Sequence, residues 1–199
     1  MLNIRFFIKY FLILKSFQTL KTLLIFTCNL EIQLLKKYTC MKVSLFQFLS
    51  IILTGLLAGT SFGIFIGLNP YHYGAVTYIE QQQNLVKSLN ALMIGLVLCA
   101  TFITILSAYH QRHNKRLFAM LLLAVALLLS CIIITRLGNI PIQNEIRNWS
   151  ATSYPDNWTD LRNAWWNYHI ARTIVELTAF LLVTYVAVAK VLTKNKIDG

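Results

Sequence analysis

Apolar residues run along this chain in four stretches long enough to cross a bilayer: Val43 to Leu68, Leu89 to Tyr109, Leu117 to Leu137 and His169 to Leu192. A hydrocarbon core takes roughly 20 helical residues to span. Lipid offers no partner to a peptide group, so each stretch is predicted to be a helix that satisfies its own backbone. Between them lie two longer polar segments, Asn69 to Ser88 and Gly138 to Tyr168, and a tight basic turn from His110 to Arg116. The pattern predicts an all-α fold, an integral membrane four-helix bundle with the tryptophan-rich segment capping one end.

Composition supports that class. Of the 199 residues 57% are hydrophobic and 13% charged, and the mean hydropathy is +0.60. A net charge of +11 would suggest nucleic acid in a soluble protein, but its distribution argues for a lipid bilayer as the partner. Lys42, then Arg112, Lys115 and Arg116, then Lys190, Lys194 and Lys196 flank alternate ends of the spans. The positive-inside rule places those ends, and both termini, in the cytoplasm. The expected location is the bacterial inner membrane, with the two longer polar segments facing outward.

Residues 1–40 read differently. Arg5, Lys9, Lys15, Lys21, Lys36 and Lys37 interrupt their apolar runs too often for a spanning helix, and no small-residue cleavage site follows. A basic interfacial helix is one reading. The other takes Met41-Lys42-Val43 as the natural start, so that 1–40 is a basic apolar extension outside the natural chain and 41–199 a single four-helix domain.

In the first span Gly55, Gly59, Gly63 and Gly67 recur every four residues. Such a face lets another backbone approach closely. With three other helices in the chain, packing inside the bundle is expected ahead of a homo-oligomer seam. Asn69-Pro70 should end this helix, because proline lacks an amide hydrogen and clashes with the preceding turn.

Candidate chemistry concentrates at the start of the last span. At roughly 100° per residue, Trp165, His169, Arg172 and Glu176 fall within about 60° of one another and form one stripe that can face protein. Ionisable groups at this depth mark function or a structural pairing. Glu80, Gln83, Lys87 and Asn90 share a second face, on which they either meet water at the interface or turn toward the same cavity. All four tryptophans, Trp149, Trp158, Trp165 and Trp166, lie in the second polar segment, as an interfacial belt or as a folded cap. Asn148-Trp149-Ser150 and Asn157-Trp158-Thr159 fit a glycosylation sequon, relevant only in a eukaryotic cell. His110 and His113 lack a third ligand, and the cysteines have no metal spacing, so no metal is expected and the thiols read as passive.

The run Asn139, Pro141, Asn144, Trp149, Pro155, Trp158, Leu161, Arg162, Trp165, His169 and Arg172 resembles the signature of a membrane-protein family that includes the anthrone oxygenases. The glycine helix, Asn69-Pro70, and Glu80 with Gln83 resemble that family's first half. The likeness runs from about Met41 to the carboxyl end, with Gln143 where many members carry Asn, and its first loop is more like uncharacterised bacterial members. Anthrone oxygenases turn the methylene of a polycyclic anthrone into a quinone carbonyl with oxygen and without cofactor. The resemblance therefore implies His169 as base, Arg172 as oxyanion donor, Glu176 orienting Arg172, and Trp165 stacking on a lipophilic aromatic molecule. Glu80, Gln83, Asn90, Asn139, Asn144, Trp158 and Arg162 would complete the pocket.

Three roles follow. The charges fix how the cap docks on the bundle, making this a structural or accessory membrane protein, which is the leading expectation. Alternatively they carry an oxidation, or they bind or transport a lipophilic ligand.

Overall fold

The computed structural model describes residues 29–31, 33–34 and 45–198, with side chains through Lys190. The expectation for residues 1–40 lies almost wholly outside them; residues 29–31 and 33–34 are helical. Contacts divide the chain into Met1–Ser44 and Leu45–Gly199, and all that follows concerns the second unit.

Four helices in this unit are long and apolar enough to cross a membrane: α1 (Leu45–His72), α2 (Ala75–His110), α3 (Lys115–Ile146) and α4 (Trp158–Asp198, apolar to Lys190). The all-α membrane bundle expected from the sequence is the fold. Helix α1 ends where proline predicts: the α-helical turns stop at residue 67, and Asn69 Oδ1 accepts from Tyr71 N at 3.1 Å to cap a 3₁₀ turn, Pro70–His72. Asn114 caps α3 by accepting from Leu117 N at 3.3 Å, closing the short turn after α2.

The helices are longer than their apolar stretches. Helix α2 begins at Ala75, α3 runs on to Ile146, and α4 starts at Trp158, so the connection between α3 and α4 shrinks to residues 147–157. Trp149 alone stays in that connection, and Trp158, Trp165 and Trp166 belong to α4. Hydropathy marked where lipid contact ends, whereas backbone pairing continues across polar residues that cover one another.

The third apolar stretch ends at Leu137, yet the helix continues past Gly138 and Pro141 through a widened turn. Residues Thr135–Asn139 form a π turn in which Ile140 N bonds Thr135 O, and Pro141 sits in the first turn of the resumed helix Ile140–Ile146. The extra residue lets the helix accommodate a proline that cannot bond backward. Gly138 lies against Tyr168 of α4, and a Cβ there would stand 2.5 Å from Cγ and Cδ1 of that ring. Gly138→Ala is accordingly expected to cost about 1–3 kcal/mol in overpacking. Thermal unfolding in detergent should show the loss, and Tyr168→Ala in the same chain should recover most of it.

The interior holds small and branched residues. Ala100, Ala124, Ala179, Leu121, Leu128, Val183 and Val186 are buried in one cluster. Tyr78, Ile142, Ile146, Trp165 and Trp166 form a second at the tryptophan end. Buried alanines permit close helix contact where lipid supplies no hydrophobic drive. Phe102, Ile133, Leu181 and others remain exposed, as a lipid-facing surface requires. Buried hydroxyls bond back to their own helices, Thr54 to Ser50 O at 2.6 Å and Thr104 to Ala100 O at 2.7 Å. At the end remote from the tryptophans, Gln47 joins three helices. It donates to Val183 O of α4 at 2.7 Å and accepts from Ser107 of α2 and from Gln111, just after α2, at 2.7 and 2.8 Å.

The glycine face packs inside the bundle at one position. Gly55 meets the Phe180 ring, 3.1 Å from where a Cβ would stand, whereas Gly59, Gly63 and Gly67 are exposed with nothing within 4 Å. The stripe drifts off the contact because α1 touches α4 through Ser61 and Phe65 at this level.

Candidate functional site

The stripe on α4 faces protein, as its angular spacing requires. Trp165, His169 and Glu176 are 5%, 0% and 1% exposed, and Arg172 is half-buried among them. The four residues nevertheless divide into two groups.

His169 is enclosed. Its imidazole stacks on Trp165 at 5.4 Å and on Trp166 at 5.3 Å between centroids, with interplanar angles of 6° and 24°. Nε2 lies 3.2 Å from Ser61 O of α1, so the ring ties α1 to α4 when that nitrogen carries the proton. Thr173 Oγ1 donates to His169 O at 2.7 Å, and Nδ1 has no partner. Asn139, fully buried, donates to Trp165 O at 3.2 Å and thereby fixes the π turn of α3 against the start of α4. These contacts make His169 and Asn139 joints between helices, and neither lines a cavity described below.

Arg172 and Glu176 face open space. They line a cavity of about 220 Å³ with Leu57 of α1, Asn90, Met93, Ile94, Val97 and Leu98 of α2, and Cys131, Thr135, Arg136 and Gln143 of α3. Ile94 and Leu98 are exposed on the lipid-facing side of α2, so the cavity opens laterally between α2 and α3. Glu176 Oε1 accepts a hydrogen bond from Cys131 Sγ at 2.9 Å. Its Oε2 and Arg172 Nε are buried and unpartnered.

Arg172 also borders a cleft of about 40 Å³ with Trp165, Gln82, Asn90 and Gln143. That cleft leads toward a second cavity of about 380 Å³, lined by Gln82, Gln83, Val86, Lys87, Asn90, Gln143, Ile146 and Arg147. Asn90 and Gln143 line all three spaces, which are therefore neighbours between the tryptophan end and Glu176.

The remaining candidates scatter. Gln83 reaches across to the end of α3, where its Nε2 donates to Ile146 O and Trp149 O, both at 3.0 Å, the first of which also accepts from Trp149 N. Glu80 and Asn144 are exposed and line none of these cavities. Arg162 lies over the rings of Trp158 at 5.1 Å and Tyr71 at 5.4 Å and bonds Asn163, holding the 3₁₀ turn to α4. Trp158 packs on Tyr78 at 6.1 Å. These residues build the end of the bundle, and of them only Gln83 also lines a cavity. One face of Trp165 is already taken by His169, so only the rest of that indole reaches open space.

Cys131, Thr135, Arg136, Gln143, Gln82 and Ser61 were not foreseen as site residues. Cys131 looked passive because a lone thiol in an apolar helix usually is. A signal was present for Gln143: on a helix continued past Pro141 it falls two turns beyond Arg136, on the same side.

A family model described as anthrone oxygenase matches residues 83–182, half of the chain. That interval holds Asn90, Gln143, Arg172 and Glu176 of α2, α3 and α4, and excludes α1. Comparison with curated proteins and with solved structures gives no match.

Proposed function

The chain belongs to the anthrone oxygenase family, and from that premise we propose that it takes a planar lipophilic aromatic molecule from the bilayer and oxidises it with molecular oxygen. The observation that carries this reading is the lateral cavity, whose walls include both a guanidinium, Arg172, and a carboxyl group, Glu176. In the proposed orientation the termini are cytoplasmic and the tryptophan end faces outward in a bacterial inner membrane.

The chemistry needs a base, a donor and oxygen. The Glu176 carboxylate takes a proton from the activated methylene, and the electron pair delocalises onto the substrate's carbonyl oxygen, where the Arg172 guanidinium stabilises the charge. Dioxygen adds at the carbanionic carbon to give a hydroperoxide after protonation. Loss of water then leaves a carbonyl, so one CH₂ and one O₂ become one C=O and one H₂O. Glu176 replaces His169 as base because Glu176 borders the cavity whereas His169 is enclosed by tryptophans.

The structural reading keeps one supporting observation. His169 holds α1 to α4 through Ser61 O, and this joint serves the bundle whether or not chemistry occurs.

Oxygen uptake with a tricyclic anthrone tests the proposal. The protein in lipid nanodiscs should consume one O₂ per anthrone above the autoxidation background and release the quinone. Arg172→Gln should lower kcat/KM by on the order of 100-fold, the usual cost of an oxyanion donor. Uptake no faster than with empty nanodiscs would defeat the oxidation and leave the structural role.

A further inference from the structure

The wider cavity at the tryptophan end has a chemical character of its own. Its two charged lining residues, Lys87 of α2 and Arg147 just after α3, are both cations. Glu80 and Glu145, on the same two helices, are exposed and outside the lining. Gln82 is 2% exposed, yet its Nε2 has no acceptor. Gln83 is held away by its own bonds, its Nε2 donating to Ile146 O and Trp149 O. The space is therefore walled by an ammonium and a guanidinium beside a buried amide, and its lining holds no negative group to meet them.

We infer that this cavity holds the anionic head of an amphiphile, a carboxylate or phosphate, whose apolar body reaches along the shared Asn90 and Gln143 walls into the cavity below. Arginine binds such groups through paired N–H donors. Lys87 and Arg147 are exposed enough to meet the head as it arrives at the interface, and Gln82 marks the depth to which it descends. The inference deepens the proposed function and rests on it only for the fate of the body, because head recognition requires no turnover. An acidic aromatic substrate and an anionic lipid present the same chemistry, and the experiment separates them.

Two pyrene probes that differ only in the head, 1-pyrenebutyrate and 1-pyrenebutanol, serve the test. Energy transfer from the tryptophans to pyrene reads binding to the full chain in phosphatidylcholine nanodiscs. The acid should bind at least about tenfold more tightly than the alcohol, a difference in keeping with one or two charged hydrogen bonds. Lys87→Gln with Arg147→Gln should erase that preference while leaving the alcohol's affinity unchanged, and Gln82→Leu should reduce it. Adding phosphatidylglycerol distinguishes the sources. Displacement of the acid, with phosphatidylglycerol retained in native mass spectra, assigns the head to a lipid; undisturbed acid binding assigns it to a substrate. Equal affinity of wild-type protein for acid and alcohol, with no phosphatidylglycerol retained, would overturn the inference. Neither result bears on anthrone oxidation, whose failure is read by oxygen uptake alone.

Discussion

Glu176→Gln is expected to lower kcat for anthrone oxidation by on the order of 10²–10⁴-fold, the range typical of a lost general base. The amide keeps the shape of the side chain and an oxygen to accept the Cys131 thiol, which now lies 2.9 Å from Oε1. It cannot take a carbon-bound proton. The variant should thus stay inserted and folded, with Tm close to that of the wild type, while single-turnover formation of the quinone slows. A collapse of Tm with the loss of turnover would instead make Glu176 part of the frame. Together, kinetics and unfolding separate a base from a strut.

His169→Ala should show the opposite pattern, a large loss of stability. The imidazole is fully buried, fills the space beside two indoles and reaches Ser61 O. Truncation leaves a cavity between α1 and α4 and removes a bond that joins them. Buried large-to-small changes of this kind cost about 2–5 kcal/mol. For a chain of this size each kcal/mol lowers Tm by roughly 2–4 °C. Detergent unfolding monitored by tryptophan fluorescence should show the drop directly, since the ring rests on Trp165 and Trp166. Any folded fraction should keep measurable turnover.

The helical bundle was legible because lipid reduces the choice of backbone to a helix and the apolar stretches are unbroken. Helix ends were less so. Gly138 and Pro141 ordinarily stop a helix, yet the π turn at Thr135–Asn139 absorbs them, with the Tyr168 ring packed against Gly138. The stripe on α4 was legible from angle alone. What angle could not distinguish was which member of the stripe meets space: neighbours from α1 close over His169, and α2 and α3 part beside Glu176. Gly59, Gly63 and Gly67 show the same limit, since a regular spacing defines a face without saying what covers it.

The most direct test is exchange without oxygen. Under anaerobic conditions in D₂O, a tricyclic anthrone bound to the protein in nanodiscs should exchange its methylene hydrogens for deuterium faster than in empty nanodiscs. Glu176→Gln should abolish the acceleration, and the folded fraction of His169→Ala should retain it. Acceleration that survives Glu176→Gln, or that vanishes in folded His169→Ala, would contradict the assignment of Glu176 as the base.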